Sequence, residues 1–140
     1  MGKQTNIHIT KPDYERLMKL IEIAREREGD ANREYIDTLE EELDRAEVVQ
    51  QKDIPEDVIT MRSKVRLKDL DTGEEMIYRL VFPTEANYNE GRISILAPIG
   101  TAMLGYRRDD VIEWQVPSGV RRLRVEEVLY QPESKGEYHL

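Results

Sequence analysis

Ile36-Asp37-Thr38-Leu39-Glu40-Glu41-Glu42-Leu43-Asp44-Arg45-Ala46 places apolar residues at 36, 39, 43 and 46, a helical spacing, and Ile54-Pro55 lies downstream of it. Beyond that proline the period changes. Val65 and Leu67 alternate with charged residues, and Met76, Tyr78, Leu80 and Phe82 share one face of the next strand. The residue before a proline disfavours helix, so Ile54-Pro55 is expected to close the helical part. Upstream, Tyr14, Leu17, Ile21 and Ala24 form a matching stripe. Thr10-Lys11-Pro12-Asp13 is a helix start: Thr10 as cap, Pro12 in the first turn, Asp13 completing a box-like pattern. Gly29 suits a helix stop, and Asp30 or Asn32 a new cap. Two apolar stripes joined at Gly29-Asp30 predict an antiparallel helical hairpin, a short coiled coil, over residues 10–53. Arms of about 17 residues would span about 25 Å.

Residues 56–140 are expected to form a β-rich domain, which makes the fold class α+β. Asp71-Thr72-Gly73, Asn89-Glu90-Gly91 and Pro117-Ser118-Gly119 are turn signals between alternating runs. Ile93 and Ile95 continue the strand pattern. Pro98 opens one short helix with Ile99, Met103 and Leu104 on a face and Gly105 as its stop. Ile112, Trp114 and Val116, then Leu123 and Val125, predict a closing hairpin. Trp114 and Tyr78 read as core residues of alternating strands. The tail from Gln131 is short and polar.

The chain has 140 residues and a net charge of −8, with no cysteine. Residues 11–53 carry 14 acidic and 8 basic side chains, a balance of −6, and the remainder 15 and 13, a balance of −2. The acidic charge therefore belongs to the helical part. It argues against direct duplex DNA recognition, which needs a basic face, and favours a basic protein surface or a metal ion as partner. Disulfides, thiol catalysis and cysteine zinc sites are excluded. His8 and His139 lie near opposite ends, which disfavours a histidine metal centre. No apolar run reaches the roughly 20 residues of a membrane span, and Met1-Gly2-Lys3-Gln4-Thr5 lacks a signal-peptide core, so a cytoplasmic chain is expected. No phosphate loop, nucleophile elbow or catalytic constellation is evident. Arg107-Arg108 and Arg121, Arg122 and Arg124, set among acids, read as a solvated mixed-charge face. Glu26, Glu28, Asp30 and Glu34 would cluster at the hairpin tip. They read as solvated charges and a cap, or as a carboxylate delivered to a metal in a partner.

Particular motifs resemble a known family. Leu70-Asp71-Thr72-Gly73-Glu74-Glu75, Tyr78-Arg79-Leu80-Val81, Gly91-Arg92-Ile93-Ser94, Ala97-Pro98-Ile99-Gly100 with Leu104-Gly105, and Val116-Pro117-Ser118-Gly119 resemble the C-terminal domain of GreA/GreB transcription elongation factors. Glu42-Leu43-Asp44-Arg45-Ala46, Ile54-Pro55-Glu56-Asp57-Val58-Ile59-Thr60-Met61, Ala97-Pro98-Ile99-Gly100-Thr101-Ala102 and Tyr130-Gln131-Pro132-Glu133 resemble the Rnk subgroup, regulators of nucleoside diphosphate kinase. The resemblance implies an FKBP-like domain and binding to bacterial RNA polymerase at the rim of the secondary channel. The docking positions it assigns are Leu96, Ala97 and Pro98. Gre factors carry a polar residue at the position of Leu96 and commonly a serine at that of Ala97.

Gre factors also insert a long coiled coil whose tip carboxylates help hold a magnesium ion at the polymerase active site. Here Gly29-Asp30 and Glu34-Tyr35 resemble that tip. The tip is shorter, a second catalytic acid has no clear counterpart, and the helices are short, as in Rnk-type proteins. The expectation is a non-enzymatic regulator with no cofactor and no catalytic residue of its own. It would bind polymerase without stimulating transcript cleavage and compete with Gre factors. Two other readings follow. One is a cleavage-stimulating factor, with Asp30 and Glu34 supplying a ligand in trans. The other, by fold analogy alone, is a prolyl isomerase with an apolar, aromatic-lined pocket.

Overall fold

The structure is a computed structural model; it describes residues 7–28 and 33–138, with the side chains of residues 28 and 114–116 outside that description. Helix α1 (Lys11–Glu28) and helix α2 (Arg33–Asp44) form the hairpin. Thr10 caps α1 as its sequence predicts, its Oγ1 accepting the Asp13 N–H at 3.3 Å. Leu17, Ile21 and Ala24 of α1 are buried, as are Ile36, Leu39 and Leu43 of α2, with Tyr14 and Ala46 packed against them. Gly29, Asp30 and Asn32, expected at the connection, lie outside the described residues.

The second arm departs from expectation. α2 stops at Asp44 and not at Ile54-Pro55. Strand β2 (Glu47–Val49) follows and pairs in parallel with β1 (His8–Thr10), Ile9 opposite Val48. Val48-Val49 is β-branched and suits a strand, and the partner edge is supplied by residues almost forty positions earlier. The Glu47 N–H donates to the Ile7 carbonyl at 2.8 Å, which clamps the open end of the hairpin. Ile54-Pro55 instead ends a single 3-10 turn at Gln51–Asp53.

The β-rich part is a five-stranded sheet in the order β5-β4-β3-β7-β6. Its strands are β3 (Lys64–Asp69), β4 (Glu75–Val81), β5 (Arg92–Ser94), β6 (Val111–Val116) and β7 (Gly119–Tyr130). All neighbours are antiparallel except β4 and β5. The alternating residues Val65, Leu67, Leu80, Leu123 and Val125 point inward, and Met76 and Tyr78 pack against them. The one short helix, α3 (Pro98–Met103), connects β5 to β6 and packs against α2. Trp114, expected in the core, has its side chain outside the described residues.

Hairpin and sheet share one apolar core, in which Ile7, Ile9 and Leu17 cluster with Ile59, Met61 and Leu104. Gly105 marks the closest approach: a Cβ there would lie 2.5 Å from Ile7 Cβ, and its φ of +81° favours glycine besides. A polar bond fixes the join. The Asp13 carboxylate, 1% exposed, accepts the Met61 N–H at 3.0 Å and is also bound by the Arg16 guanidinium. Burial pushes this carboxyl up, while the Met61 N–H and Arg16 pull it down.

The polar tail is part of the fold. Gln131, Pro132 and Glu133 are buried, and Gln131 Nε2 donates to the Pro55 and Val58 carbonyls at 2.8 and 2.7 Å. Glu133 accepts the Thr60 hydroxyl at 2.8 Å, and Thr60 bonds Ser63 in turn. Burial raises the Glu133 carboxyl above its ordinary value, against the pull of the Thr60 hydroxyl. A carboxyl raised in the folded state supports the fold fully below its unfolded pKa, and that support is lost as pH rises through the folded value. Glu133→Gln keeps an acceptor for Thr60 without a charge. Its stability relative to the parent chain is therefore expected to improve as pH rises from about 4 to about 8, read by urea unfolding across that range. A constant difference would contradict the assignment.

Candidate functional site

The connection from β5 into α3 is built to be rigid. Ile95 is buried, and its N–H donates to the Val81 carbonyl at 2.9 Å. Ser94 closes the turn twice: its Oγ accepts the Leu96 N–H and its carbonyl the Ala97 N–H, both at 3.0 Å. Pro98 takes the first helical position, where its missing N–H costs nothing. The Thr101 hydroxyl reaches back to the Ile95 carbonyl at 2.6 Å. Gly100 is required by space, since a Cβ there would lie 2.0 Å from the Ser94 carbonyl oxygen. Leu96 and Ile99 lean on the core, which leaves Ala97 half exposed and Pro98 exposed. The outcome is a fixed, uncharged elbow. A contact made by such an elbow loses little conformational entropy on binding.

The tip end of α2 begins Arg33-Glu34, a mixed pair of charges, with Arg33 near Asp37 at 3.9 Å. Glu34 is exposed and its carbonyl accepts the Thr38 hydroxyl. Arg25 of α1 reaches across to Asp37 at 2.9 Å and Glu40 at 2.8 Å, which ties the two arms together near the tip. These pairs are half exposed and add rigidity more than stability. Of the other tip residues named from the sequence, Glu26 is exposed at the end of α1, and the Glu28 side chain and Asp30 lie outside the described residues. Among the described residues no group of three or more His, Asp or Glu side chains is arranged to hold a metal ion. The elbow and the exposed tip are separate features of the surface, and no described contact brings Glu34 to Leu96, Ala97 or Pro98.

Other charged residues fall as the alternation predicts. Arg107 pairs with Asp57, Arg121 with Asp69, Arg122 with Asp71 and Arg124 with Glu126. The arginines are set among acids as the sequence suggests, but not on one face, since Arg121 and Arg122 are neighbours on β7 and point to opposite sides of the strand. The Arg121 guanidinium and the Asp71 N–H hold the Asp69 carboxyl below the usual range. Sequence reasoning missed a different cluster, the cleft lined by Arg62, Arg79, Val81, Glu85 and Arg92. Its members come from three separated segments, and only the parallel pairing of β4 with β5 brings Arg79 beside Arg92. It also missed Asp13, whose place in a helix-start motif concealed its bond to Met61.

Residues 54–130 match the family described as "Transcription elongation factor, GreA/GreB, C-term". The chain belongs to the GreA/GreB transcription elongation factor family. Its residues 5–49 match the Rnk N-terminus, so the protein joins an Rnk-type hairpin to a GreA/GreB C-terminal domain. It is 40% identical over 121 residues to the Escherichia coli strain K12 protein "Regulator of nucleoside diphosphate kinase", a match that covers 86% of this chain and 89% of that protein. It is 37% identical over 95 residues to the transcription elongation factor GreA of Syntrophotalea carbinolica. There the match covers 68% of this chain and only 60% of the relative. The solved GreA/GreB factor from Nitrosomonas europaea superposes with a TM-score of 0.73 at 41% identity, covering 91% of this chain and all of that one. The fold expected from the sequence motifs is therefore the observed one.

Gly100→Ala tests the elbow's construction. Its Cβ can be placed only by moving the β5 backbone away from α3, at a cost of about 1–3 kcal/mol in urea unfolding. Unchanged stability would show that the elbow yields.

Proposed function

We propose that this GreA/GreB-family protein is a regulator that binds bacterial RNA polymerase at the rim of the secondary channel. It docks through Leu96, Ala97 and Pro98 and holds its hairpin in the channel without stimulating transcript cleavage. The single observation that carries the reading is the short second arm on a GreA/GreB-type domain. α2 has 12 residues and spans about 18 Å, and α1 with 18 residues about 27 Å. β1, whose Ile9 lies in the shared core, pairs with β2 and so ties the base of both arms together, which fixes the hairpin's reach at the length of its helices. Gre factors extend a long coiled coil to the catalytic centre, and a probe of this length stops short of it.

The same mounting supports competition with Gre factors. A protein that fills the channel mouth with the same kind of domain excludes a second one, whatever its tip does. Glu34, and Asp30 beyond the described residues, act in this reading as solvated tip charges facing a basic channel wall. Chemistry is supplied by the polymerase, and this chain supplies occupancy.

Binding to core polymerase tests the docking surface. Ala97→Arg puts a long charged chain on the elbow at a half-exposed position, where a surface change alters stability by about 0.5 kcal/mol or less. The parent chain is expected to displace a labelled Gre factor from core polymerase. The variant is expected to need at least tenfold more protein, as about 1.4 kcal/mol of lost contact implies. Equal displacement by the two proteins would remove the elbow from the interface, and no displacement by either would overturn the reading.

A further inference from the structure

On the outer face of the sheet, three cations stand in register across three adjacent strands: Lys64 of β3 opposite Arg79 of β4, and Arg79 opposite Arg92 of β5. Like charges directly opposite one another disfavour a sheet, so a row of three is an unusual concentration of positive charge. Arg62 adds a fourth cation. Its backbone is held at φ +69°, a left-handed conformation costly for a residue with a side chain, by N–H donation to the Leu80 carbonyl at 2.6 Å. Arg62, Arg79 and Arg92 line an open cleft of about 490 Å³ with Val81 and Glu85.

The cleft is organised around its arginines. Glu85 takes Arg62 in a forked pair, Nε to Oε1 at 3.2 Å and Nη2 to Oε2 at 2.8 Å. Arg62 also stacks on Phe82, 5.2 Å from the ring centre, and Arg16 of α1 stacks on the same ring at 5.1 Å. Arg92 donates Nε to the Glu85 carbonyl and Nη1 to Glu90. Arg79 donates Nη1 to the Arg62 carbonyl at 3.0 Å and lies 5.2 Å over the Tyr130 ring. Among the described residues no carboxylate reaches Arg79. Each guanidinium has five N–H donors, so Arg62 Nη1, Arg79 Nε and Nη2, and Arg92 Nη2 remain to bind a ligand. Glu85 and Glu90 balance two of the three guanidinium charges and leave the cluster one positive charge in excess, in a chain of net −8.

From this we infer that the cleft binds a diphosphate group. Planar guanidiniums fixed by stacking and backbone bonds match phosphate oxygens in paired hydrogen bonds. Two linked phosphates offer more charge and more acceptor oxygens than a single carboxylate, enough for the open donors of three arginines that line one cleft. The group arrives either as free pyrophosphate or as the tail of a nucleoside diphosphate. This inference does not rest on the polymerase reading, since none of Leu96, Ala97 and Pro98 lines the cleft.

Calorimetric titration of the full chain with sodium pyrophosphate, without divalent cations, tests it. Saturable binding is expected, weakened about tenfold in Arg79→Gln and in Arg92→Gln, the loss of a charge-assisted hydrogen bond. Arg124→Gln, whose arginine pairs with Glu126 outside the cleft, is expected to bind as the parent does. Melting of each variant checks that it folds; should Arg79→Gln melt early, Arg92→Gln carries the test. Tighter binding of ADP than of pyrophosphate assigns the nucleotide source, and equal or weaker binding assigns free pyrophosphate. Absence of saturable heat at millimolar ligand overturns the inference, as does an equal loss in Arg124→Gln.

Discussion

The bond from the Met61 N–H to the buried Asp13 carboxylate holds the two halves of the molecule in one orientation. Apolar packing joins the hairpin to the sheet, but packing alone is tolerant of small rotations. A directional bond inside that contact is not. Removing the acceptor would strand a buried N–H, a penalty of about 1–3 kcal/mol. Arg16, one turn along α1, completes the arrangement by binding Asp13 and stacking on Phe82 beside Arg62. The direction in which the hairpin projects is therefore set at its base, by α1 and the Thr60–Ser63 turn, and not at its tip.

That geometry gives functional weight to length. A hairpin whose ends are clamped by the β1–β2 pair and seated on the domain core reaches only as far as its helices extend. The acidic side chains on α2 are partly tied down by Arg25, so the hairpin presents a braced rod. The elbow at Leu96–Pro98 is fixed by a separate device, the tight packing of Gly100 on Ser94. The elbow and the base of the hairpin are thus both anchored on the shared core.

Much of this was legible in the sequence, for a physical reason. The apolar stripes of α1 and α2 follow from local periodicity, as do the inward faces of β3, β4 and β7. So does the Thr10 cap. The end of α2 was not legible, because β2 exists only through its pairing with β1, a contact between distant residues. The burial of Gln131–Glu133 escaped for the same reason: polar residues are buried there because carbonyls at Pro55 and Val58 and the Thr60 hydroxyl await them. The elbow positions came from family motifs, whereas the need for Gly100 appears only when Ser94 is placed above it. Arg62, Arg79 and Arg92 look like ordinary surface charges until the sheet assembles them. Asp30 lies outside the described residues, so the tip chemistry rests on its sequence alone.

The central claim is that the chain occupies the polymerase channel without supplying a ligand to the active site. Stalled elongation complexes with backtracked, end-labelled RNA test it most directly. With saturating protein the account predicts no shortening of the RNA, and suppression of the shortening that a Gre factor induces when added afterwards. Shortening on addition of this protein alone, abolished by Asp30→Ala, would contradict it.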